Sequence, residues 1–306
     1  MITGSQGFVC SYICEEFLDY GYKVIGVDNY SKCGKISKPH NDCQNFRFYE
    51  MDITSPDFVS LCIDEKPRII IAGAALVGGI NYYGKYPYDI LTTNERITAN
   101  TFDAALNLHK KNLFNKIIVL SSSLVYEQSD KIPYKEDDVI TAPLSTYGMQ
   151  KLASEYFCYG AYQQYGLKYN IARLFNCVGI GKTNYVLSDL IDKIKTKPRP
   201  LAILGDGTQV RSFVHCKDVA KAIRLIAQNQ STNMCFNIST PEHSSILQLA
   251  QKIWIKLHGS LDDFVYTTLP SPTNNVQTSI ADTSKIEKEL RFTAKITLDQ
   301  TIDEIL

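Results

Sequence analysis

The sequence lacks several features that would place it in a particular class of protein. No apolar run reaches the length of a membrane-spanning helix, and no signal peptide is visible. The 32 basic residues balance the 32 acidic ones, so no broad attraction to nucleic acid or anionic lipid is expected. Repeats, low-complexity tracts and flexible linkers are also missing. We therefore expect a globular protein with neither a membrane nor a nucleic-acid partner.

The cysteines also exclude some classes of site. Nine of them are scattered along 306 residues, and no two form a Cys-x-x-Cys pair. An odd, dispersed set in a chain of this size indicates reduced thiols in a cytoplasmic protein, so neither a disulfide framework nor a metal site is expected. The chain is 44% hydrophobic and 21% charged, which suits one large or two modest domains.

The amino-terminal segment has the pattern of a dinucleotide-binding unit. Gly4 and Gly7 precede a helical pattern, and residues 23–28 are typical of a buried parallel strand ending in Asp28. Glycines let the backbone approach a pyrophosphate at a helix N-terminus, and the acid can bond the ribose hydroxyls. Asp28 favours NAD over NADP, because a 2′-phosphate would meet like charge. Taken alone, the two glycines are equally consistent with a simple tight turn.

Two features depart from this pattern. Only Met1 to Thr3 precede the glycines, so either the first strand is very short or the native start lies upstream. Cys10 occupies the third small position, where glycine would permit close packing of helix against strand. Cysteine is small enough to be accepted there, with a looser or shifted contact.

Strand and helix patterns alternate through the first half of the chain, with strands predicted at residues 46–51, 68–72 and 116–120 and a helix at 89–111. This alternation predicts an α/β fold with a doubly wound parallel sheet of the Rossmann type. Ligands of such sheets bind at the carboxyl ends of the strands. Five predicted positions fall at such ends and converge on one rim: Gly4, Asp28, Asp52, Ala74 and Ser122.

Tyr147 and Lys151 form the most informative pair in the chain. They stand four residues apart in a segment typical of a helix, so both lie on one face. An ammonium beside a phenol favours the phenolate and lowers the tyrosine pKa from about 10 toward neutrality. A tyrosine tuned in this way can act as acid or base at a carbon–oxygen bond. Such a pair often arises by chance, and its weight comes from the other motifs.

With these pieces in order, the chain resembles the extended short-chain dehydrogenase/reductase family, in its NAD-dependent nucleotide-sugar epimerase/dehydratase branch. The resemblance runs nearly end to end and includes the separation of 25 residues between Ser122 and Tyr147. The motifs that carry it are residues 3–8, 27–29, Asp52, the loop after Ala72, Asn94, residues 121–126, Tyr147 with Lys151, and residues 173–176, 205–215 and 281–285.

The resemblance implies the roles of individual residues. Ser122 would bond the sugar oxygen at the reacting carbon, Tyr147 would be the acid or base, and Lys151 would hold the nicotinamide ribose. A structural role is favoured for His215. The implied NAD contacts are Gly4, Gly7, Phe8, Val9, Asp28, Asn29, Asp52, Ile53, Ala74, Ala75, Asn94, Tyr147, Lys151 and Phe175. The implied contacts to the nucleotide-diphosphate sugar are Gly78, Gly79, Ser123, Asn176 and Arg211, the last as a planar cation on the diphosphate.

The residues after the catalytic serine distinguish between the reactions of this family. Its members oxidise a sugar hydroxyl at C4 to a ketone, and the fate of that ketone defines each branch. The 4,6-dehydratases carry Asp-Glu directly after the catalytic serine or threonine, and the decarboxylases place a glutamate at the second of those positions. Because this chain has Ser123 and Leu124 there, dehydration and decarboxylation are disfavoured.

A further segment resembles the GDP-fucose synthases, which epimerise at C3 and C5 and then reduce C4. It comprises residues 75–80 and 86–89 together with Asn94. Those enzymes use a cysteine at the position of Leu124 and take NADP, which Asp28 disfavours. By elimination, a redox-neutral 4-epimerase is the leading interpretation. The alternatives are a 4-reductase or 3,5-epimerase/reductase, and a non-catalytic dinucleotide-binding member of the family.

The resemblance also predicts the organisation of the chain. We expect an NAD-binding domain at residues 1–176, with a return of about 209–236, and a smaller substrate domain at 177–306. Two helices, at about 89–111 and 145–165, would pair with their copies as a four-helix bundle in a homodimer. Pro272 stands where the family has a second arginine on the diphosphate, so the nucleotide base is not assigned.

Overall fold

The computed structural model describes residues 1–32, 34–78, 80–181, 185–270 and 276–306. Its strands, in chain order, are β1 (Ile2–Thr3), β2 (Val24–Asp28), β3 (Phe46–Glu50), β4 (Ile69–Ala72), β5 (Lys116–Ser122), β6 (Tyr169–Leu174), β7 (Asn176–Val178), β8 (Leu201–Leu204), β9 (Val210–Arg211), β10 (Phe213–His215), β11 (Met234–Ile238), β12 (Ser244–Ser245), β13 (Tyr266–Leu269) and β14 (Thr278–Ser279).

The helices, in chain order, are α1 (Phe8–Asp19), α2 (Asp57–Glu65), α3 (Ile80–Lys85), α4 (Pro87–Lys110), α5 (Thr146–Tyr165), α6 (Val186–Lys195), α7 (Cys216–Gln228), α8 (Ile246–His258), α9 (Ser284–Leu290) and α10 (Leu298–Ile305). Two 3₁₀ turns, η1 (Pro39–Asp42) and η2 (Ser123–Tyr126), complete the described elements. Among the described helices none is long and apolar enough to cross a membrane.

A seven-stranded parallel sheet has the order β11-β6-β5-β4-β1-β2-β3. The chain builds outward from β1 through β2 and β3, then starts again at β4 and builds the other way. The strand order therefore reverses between β1 and β4, which is the switch point where such sheets bind ligands. The predicted doubly wound Rossmann fold is confirmed. The first strand, β1, comprises Ile2 and Thr3 in the given chain.

Helices cover both faces of this sheet, because its strands carry apolar side chains on both sides. On one face α1 and α7 pack together over a core that includes Ile118 and Ile223. On the other face α2, α4 and α5 pack over a core that includes Ile117 and Phe58. Consecutive residues of β5 thus point into opposite cores, as the pleat of a strand requires.

A separate apolar core lies toward the carboxyl-terminal part of the chain. It joins α6, α8 and α10 around Leu190, Trp254 and Ile302. Three small sheets, β10-β7, β12-β9-β14 and β13-β8, lie in the same part of the chain. Between them the chain returns to the large sheet, where α7 packs on α1 and β11 pairs with β6. The division at residues 176 and 177 stays a prediction.

The helix that carries Tyr147 begins at a defined cap. The Ser145 hydroxyl accepts a hydrogen bond from the Gly148 amide at 3.1 Å, which satisfies a first-turn donor that would otherwise lack a partner. This cap places Tyr147 in the first turn of α5, close to the carboxyl end of β5. The Tyr147–Lys151 spacing therefore falls within regular helix, as predicted.

Candidate active site

The glycine loop brings two strand ends into close contact. Gly4 has a φ of +72°, and a Cβ at this position would lie 2.9 Å from the Cα of Ala74. Its amide donates to the Val27 carbonyl at 2.8 Å, which fixes the loop over β2. Gly7 is the N-cap of α1, and within the described structure no side chain caps this helix start. An uncapped helix N-terminus that follows two glycines, where the backbone can approach a ligand closely, fits a pyrophosphate.

The cysteine in the third small position is accommodated by a glycine elsewhere. Cys10 is buried in α1, and a Cβ added to Gly73 would lie only 2.3 Å from its Sγ. The thiol therefore takes the space that a side chain at position 73 would fill. The close contact, which the usual motif makes through a helix glycine, is made here through a glycine of the loop after β4.

The acidic end of β2 is held in place by backbone amides. One oxygen of Asp28 accepts from the Gln6 amide at 3.0 Å, and the other accepts from the Tyr30 amide at 2.7 Å. Each carboxylate oxygen has a second lone pair, so the group can still accept from ribose hydroxyls. Beside it, Asn29 donates to Asp52 at 3.1 Å and joins the ends of β2 and β3. Asp28, Asn29 and Asp52 thus lie together on the predicted rim, with Ile53 buried next to them.

Side-chain hydrogen bonds hold the loop after β4. Asn94 accepts from the Leu76 amide at 2.6 Å and donates to the Leu76 carbonyl at 3.0 Å. The Thr3 hydroxyl accepts from the amides of Gly73 and Ala74 at 3.0 and 3.1 Å. The structure therefore gives Asn94 a loop-fixing contact, and its contact with NAD stays a prediction. The tie through Thr3 was missed by sequence reasoning, since nothing in the local pattern links a strand hydroxyl to a loop about 70 residues away.

The catalytic candidates gather at the carboxyl end of β5 and the start of α5. Lys151 is 7% exposed, and its Nζ donates to the Leu120 carbonyl at 2.8 Å and lies 5.6 Å from the centre of the Tyr147 ring. Burial lowers the pKa of Lys151 to about 8, although the nearby Glu155 carboxylate acts in the opposite direction. A nearby ammonium stabilises the phenolate of a tyrosine, which is the property predicted for Tyr147.

Ser122 ends β5 and begins the next turn. Its hydroxyl accepts from the Leu124 amide at 3.2 Å and caps η2, in which Ser123 is the first residue. The half-buried hydroxyl keeps its own proton to donate. The end of β5 and the start of η2 contact α5, so Ser122, Ser123, Tyr147 and Lys151 lie at one corner, and their roles in catalysis stay predictions.

Fewer contacts define the remaining predicted residues. Phe175, predicted to contact NAD, is buried, with its ring 6.4 Å from each of the Tyr126 and Tyr134 rings. On the predicted substrate side, Asn176 donates to the Ser212 carbonyl at 3.2 Å. The Gly78 carbonyl accepts from the Tyr185 hydroxyl at 3.3 Å. Gly79 and Pro272 lie outside the described residues.

Arg211 is anchored by the backbone around it. Its guanidinium donates to the carbonyls of Val210 at 2.8 Å, Gln277 at 3.2 Å and Val276. Burial lowers its pKa, although the guanidinium stays charged at any physiological pH. These bonds fix the guanidinium at the end of β9, and its contact with a diphosphate stays a prediction.

His215 has contacts that agree with its expected structural role. It is fully buried, and its Nδ1 accepts from the Lys217 amide at 3.1 Å as the N-cap of α7. Its Nε2 lies 2.8 Å from a Glu304 carboxylate oxygen.

Comparisons with known proteins give these features a family. Residues 1–239 match the model of the NAD dependent epimerase/dehydratase family. The UDP-glucuronate 4-epimerase of Thermodesulfobacterium geofontis is 27% identical over 228 residues, which cover 72% of this chain and 69% of that protein. The UDP-glucose 4-epimerase of Thermotoga maritima, solved with UDP-glucose, is 25% identical with a TM-score of 0.85; the match covers 99% of this chain and 96% of that one. The UDP-glucuronic acid 4-epimerase of Bacillus cereus, solved with UDP-glucuronic acid and NAD, is 25% identical with a TM-score of 0.86, at the same coverage.

The match and the site agree on the cofactor. The family model spans the whole seven-stranded sheet, including β11 at its edge. The loop at Gly4, the open start of α1 and the fixed carboxylate of Asp28 fit NAD, which is the cofactor. The predicted resemblance is confirmed, and the chain belongs to the NAD-dependent epimerase/dehydratase family of enzymes.

Proposed function

We propose that this chain is an NAD-dependent 4-epimerase of UDP sugars. The observation that carries the proposal is the corner formed by Ser122, Tyr147 and Lys151, which has Ser123 and Leu124 in place of further acids or a cysteine. A 4-epimerisation needs one group that takes and returns a proton at the C4 oxygen. It needs no acid for elimination and no second base at C3 or C5.

Each residue of the corner has a defined task. Ser122 and Tyr147 bind the C4 oxygen of the sugar. Lys151 stabilises the phenolate form of Tyr147, and this phenolate takes the proton of the C4 hydroxyl. NAD, which Gly4, Asp28 and Lys151 would hold, would supply reversible hydride transfer at C4, and transfer at opposite faces of the sugar would invert the configuration. Tyr147 then gives the proton back to the C4 oxygen, so the reaction is redox-neutral.

The other predicted contacts would divide between the cofactor and the sugar nucleotide. NAD would lie on the rim from Gly4 and Asp28 to Phe175, within residues 1–176 and their return. The UDP sugar would extend toward residues 177–306, with Arg211 and Asn176 at the diphosphate and Gly78 beside the sugar. The nucleotide is taken from the relatives, which are UDP-sugar enzymes.

A direct test follows C4 stereochemistry. UDP-glucose, UDP-glucuronic acid and UDP-N-acetylglucosamine would be incubated with the NAD-loaded protein and followed by proton NMR, with absorbance at 340 nm in parallel. We expect interconversion of the C4 epimers of at least one sugar without net NADH. Stoichiometric consumption of added NADH would instead support the reductase, and cofactor binding without turnover would support the non-catalytic alternative. The Tyr147→Phe variant is the control, and full activity in it would contradict the mechanism.

We also propose a cytoplasmic homodimer that forms through α4 and α5. These helices pack against each other and leave large side chains on their outer faces. Tyr156 is 65% exposed and Tyr88 is 74% exposed. Large aromatic side chains exposed in this way are typical of a surface that a partner covers. Each cysteine in the described part of the chain is a free thiol, in keeping with a reducing compartment. Sedimentation of a Tyr156→Glu variant tests the interface, and we expect it to be monomeric where the parent protein is dimeric.

A further inference from the structure

A buried ion pair lies directly behind the corner that carries the chemistry. Glu155 is one turn beyond Lys151 on the same face of α5, and its carboxylate is fully buried. Arg173 of β6 donates to both of its oxygens, at 2.9 and 2.7 Å, and is itself only 2% exposed. A bidentate, charge-assisted pair of this kind holds its partners in a fixed geometry.

The segment before Ser122 is fixed to this pair. The Ser121 hydroxyl donates to Glu155 Oε1 at 2.6 Å, and Ser121 is buried. Its neighbour Leu120 supplies the carbonyl that accepts from Lys151. Two consecutive residues of β5 are therefore bonded to two consecutive turns of α5, immediately before the serine that would bind the sugar oxygen.

The segment after Ser122 is fixed to the same pair. Tyr126 ends η2, and its hydroxyl accepts from Arg173 Nη1 at 2.6 Å while donating to Asn237 at 2.8 Å. The 3₁₀ turn that Ser122 caps is thus held at its far end by the cation. Residues 121–126, which include both Ser122 and Ser123, are bonded at each end to one buried ion pair.

We propose that Ser121 and Tyr126 are positioning residues, which act through the Glu155–Arg173 pair to set the distance between the hydroxyls of Ser122 and Tyr147. The inference rests on the proposed 4-epimerase function. Removing either tether leaves the catalytic groups and the NAD rim in place. It loosens only the segment that aims Ser122, and small misplacements of a reacting group reduce rates strongly.

Two mild variants test the proposal without leaving a buried charge unpaired. Ser121→Ala and Tyr126→Phe each remove one hydroxyl, whereas truncating Glu155 or Arg173 would leave an unpaired buried charge and risk unfolding. The matched control is Ser154→Ala, which removes a buried hydroxyl on α5 that bonds to Gln150 of the same helix and to the Thr98 hydroxyl of α4. Ser121→Thr is the rescue variant, because it keeps the hydroxyl.

The expected result is a change in kcat with little change in KM. We expect kcat for C4 epimerisation to fall by about 10-fold to 100-fold in Ser121→Ala and in Tyr126→Phe. KM and the affinity for NAD should stay within about threefold, Ser121→Thr should recover most of the rate, and Ser154→Ala should match the parent. The proposal is overturned if both tether variants keep the parent kcat, or if Ser154→Ala loses as much rate as they do.

Hydrogen exchange gives a readout that needs no substrate. In the NAD-loaded protein, amides of residues 121–126 should exchange faster in Ser121→Ala than in the parent or in Ser154→Ala, while the rest of β5 stays protected. Unchanged exchange in this segment would overturn the positioning role. If the parent protein epimerised no UDP sugar while the exchange behaved as expected, the proposed function would fail and the tether would stand.

Discussion

The contact between Cys10 and Gly73 can be tested as a matched pair. Gly73→Ala would place a Cβ 2.3 Å from Cys10 Sγ, 2.9 Å from the Thr3 carbonyl oxygen and 3.2 Å from Leu120. Gly73 is not among the residues with positive φ, so alanine meets no backbone penalty and the cost is steric. Overpacking of this kind costs about 1–3 kcal/mol of the free energy of unfolding.

The cysteine variant should relieve much of that cost. Cys10→Ala alone removes one buried sulfur and should cost about 1 kcal/mol, comparable to deleting a buried methylene group. In the double variant the alanine methyl at position 73 meets no thiol, and the main remaining overlap is with Thr3. We therefore expect the double variant to be about 1–2 kcal/mol more stable than the sum of the single costs predicts.

The assay is urea unfolding at 25 °C, with NAD loading matched between variants and free energies taken by linear extrapolation. Cys14→Ala is the matched control, because Cys14 is buried on the same helix and its thiol contacts the Ser5 carbonyl instead. Its cost should simply add to that of Gly73→Ala. The reasoning is refuted if the Cys10 and Gly73 costs also add to within about 0.3 kcal/mol.

Three further outcomes are expected. Asp28→Asn should weaken NAD binding about tenfold, roughly 1.4 kcal/mol, because charge-assisted bonds to the ribose are lost. Titration calorimetry measures the affinity, and an unchanged value would argue against a contact between Asp28 and NAD. Asn94→Leu should lower the free energy of unfolding by about 1–3 kcal/mol, since the Leu76 amide and carbonyl both lose their partner, and a stability equal to the parent would show that water replaces it. Lys116 is buried, and desolvation lowers its pKa from 10.5 to about 8, so the folded state binds fewer protons than the unfolded state between those pH values. The parent should therefore gain stability relative to Lys116→Met as the pH rises from 8 to 10, and parallel unfolding curves would contradict this.

The parts of the site that were predictable from sequence are those encoded locally. The Tyr147–Lys151 spacing, the carboxylate of Asp28 at a strand end and the serine after β5 follow from periodicity and from the rule that parallel strands end at one rim. The contacts among these elements were not predictable. Ser121 meets Glu155 across 34 positions in the chain, and no local pattern selects that partner over other acids.

Two details show why such pairings escape sequence reasoning. Cys10, at the third small position of the glycine motif, was expected to loosen the contact between helix and strand. The space for its thiol comes from Gly73, which lies 63 residues away in the chain, directly after β4. Arg211 was expected to contact a diphosphate, and two of the three carbonyls that hold its guanidinium belong to the distant residues Val276 and Gln277. Both depend on which loops the fold brings together, and that is settled by packing of the whole chain.

The position of β11 at the edge of the large sheet has a consequence for synthesis. Its residues, Met234–Ile238, pair with the outer edge of β6. They leave the ribosome only after residues 178–213, which contribute to the separate carboxyl-terminal core, have emerged. Until then β6 presents a row of unpaired amides and carbonyls beside buried side chains, which is a template for pairing with another chain. A fragment ending near residue 200 should therefore aggregate even though it contains every catalytic candidate. The nascent enzyme would depend on rapid completion of this edge, or on a chaperone that shields it.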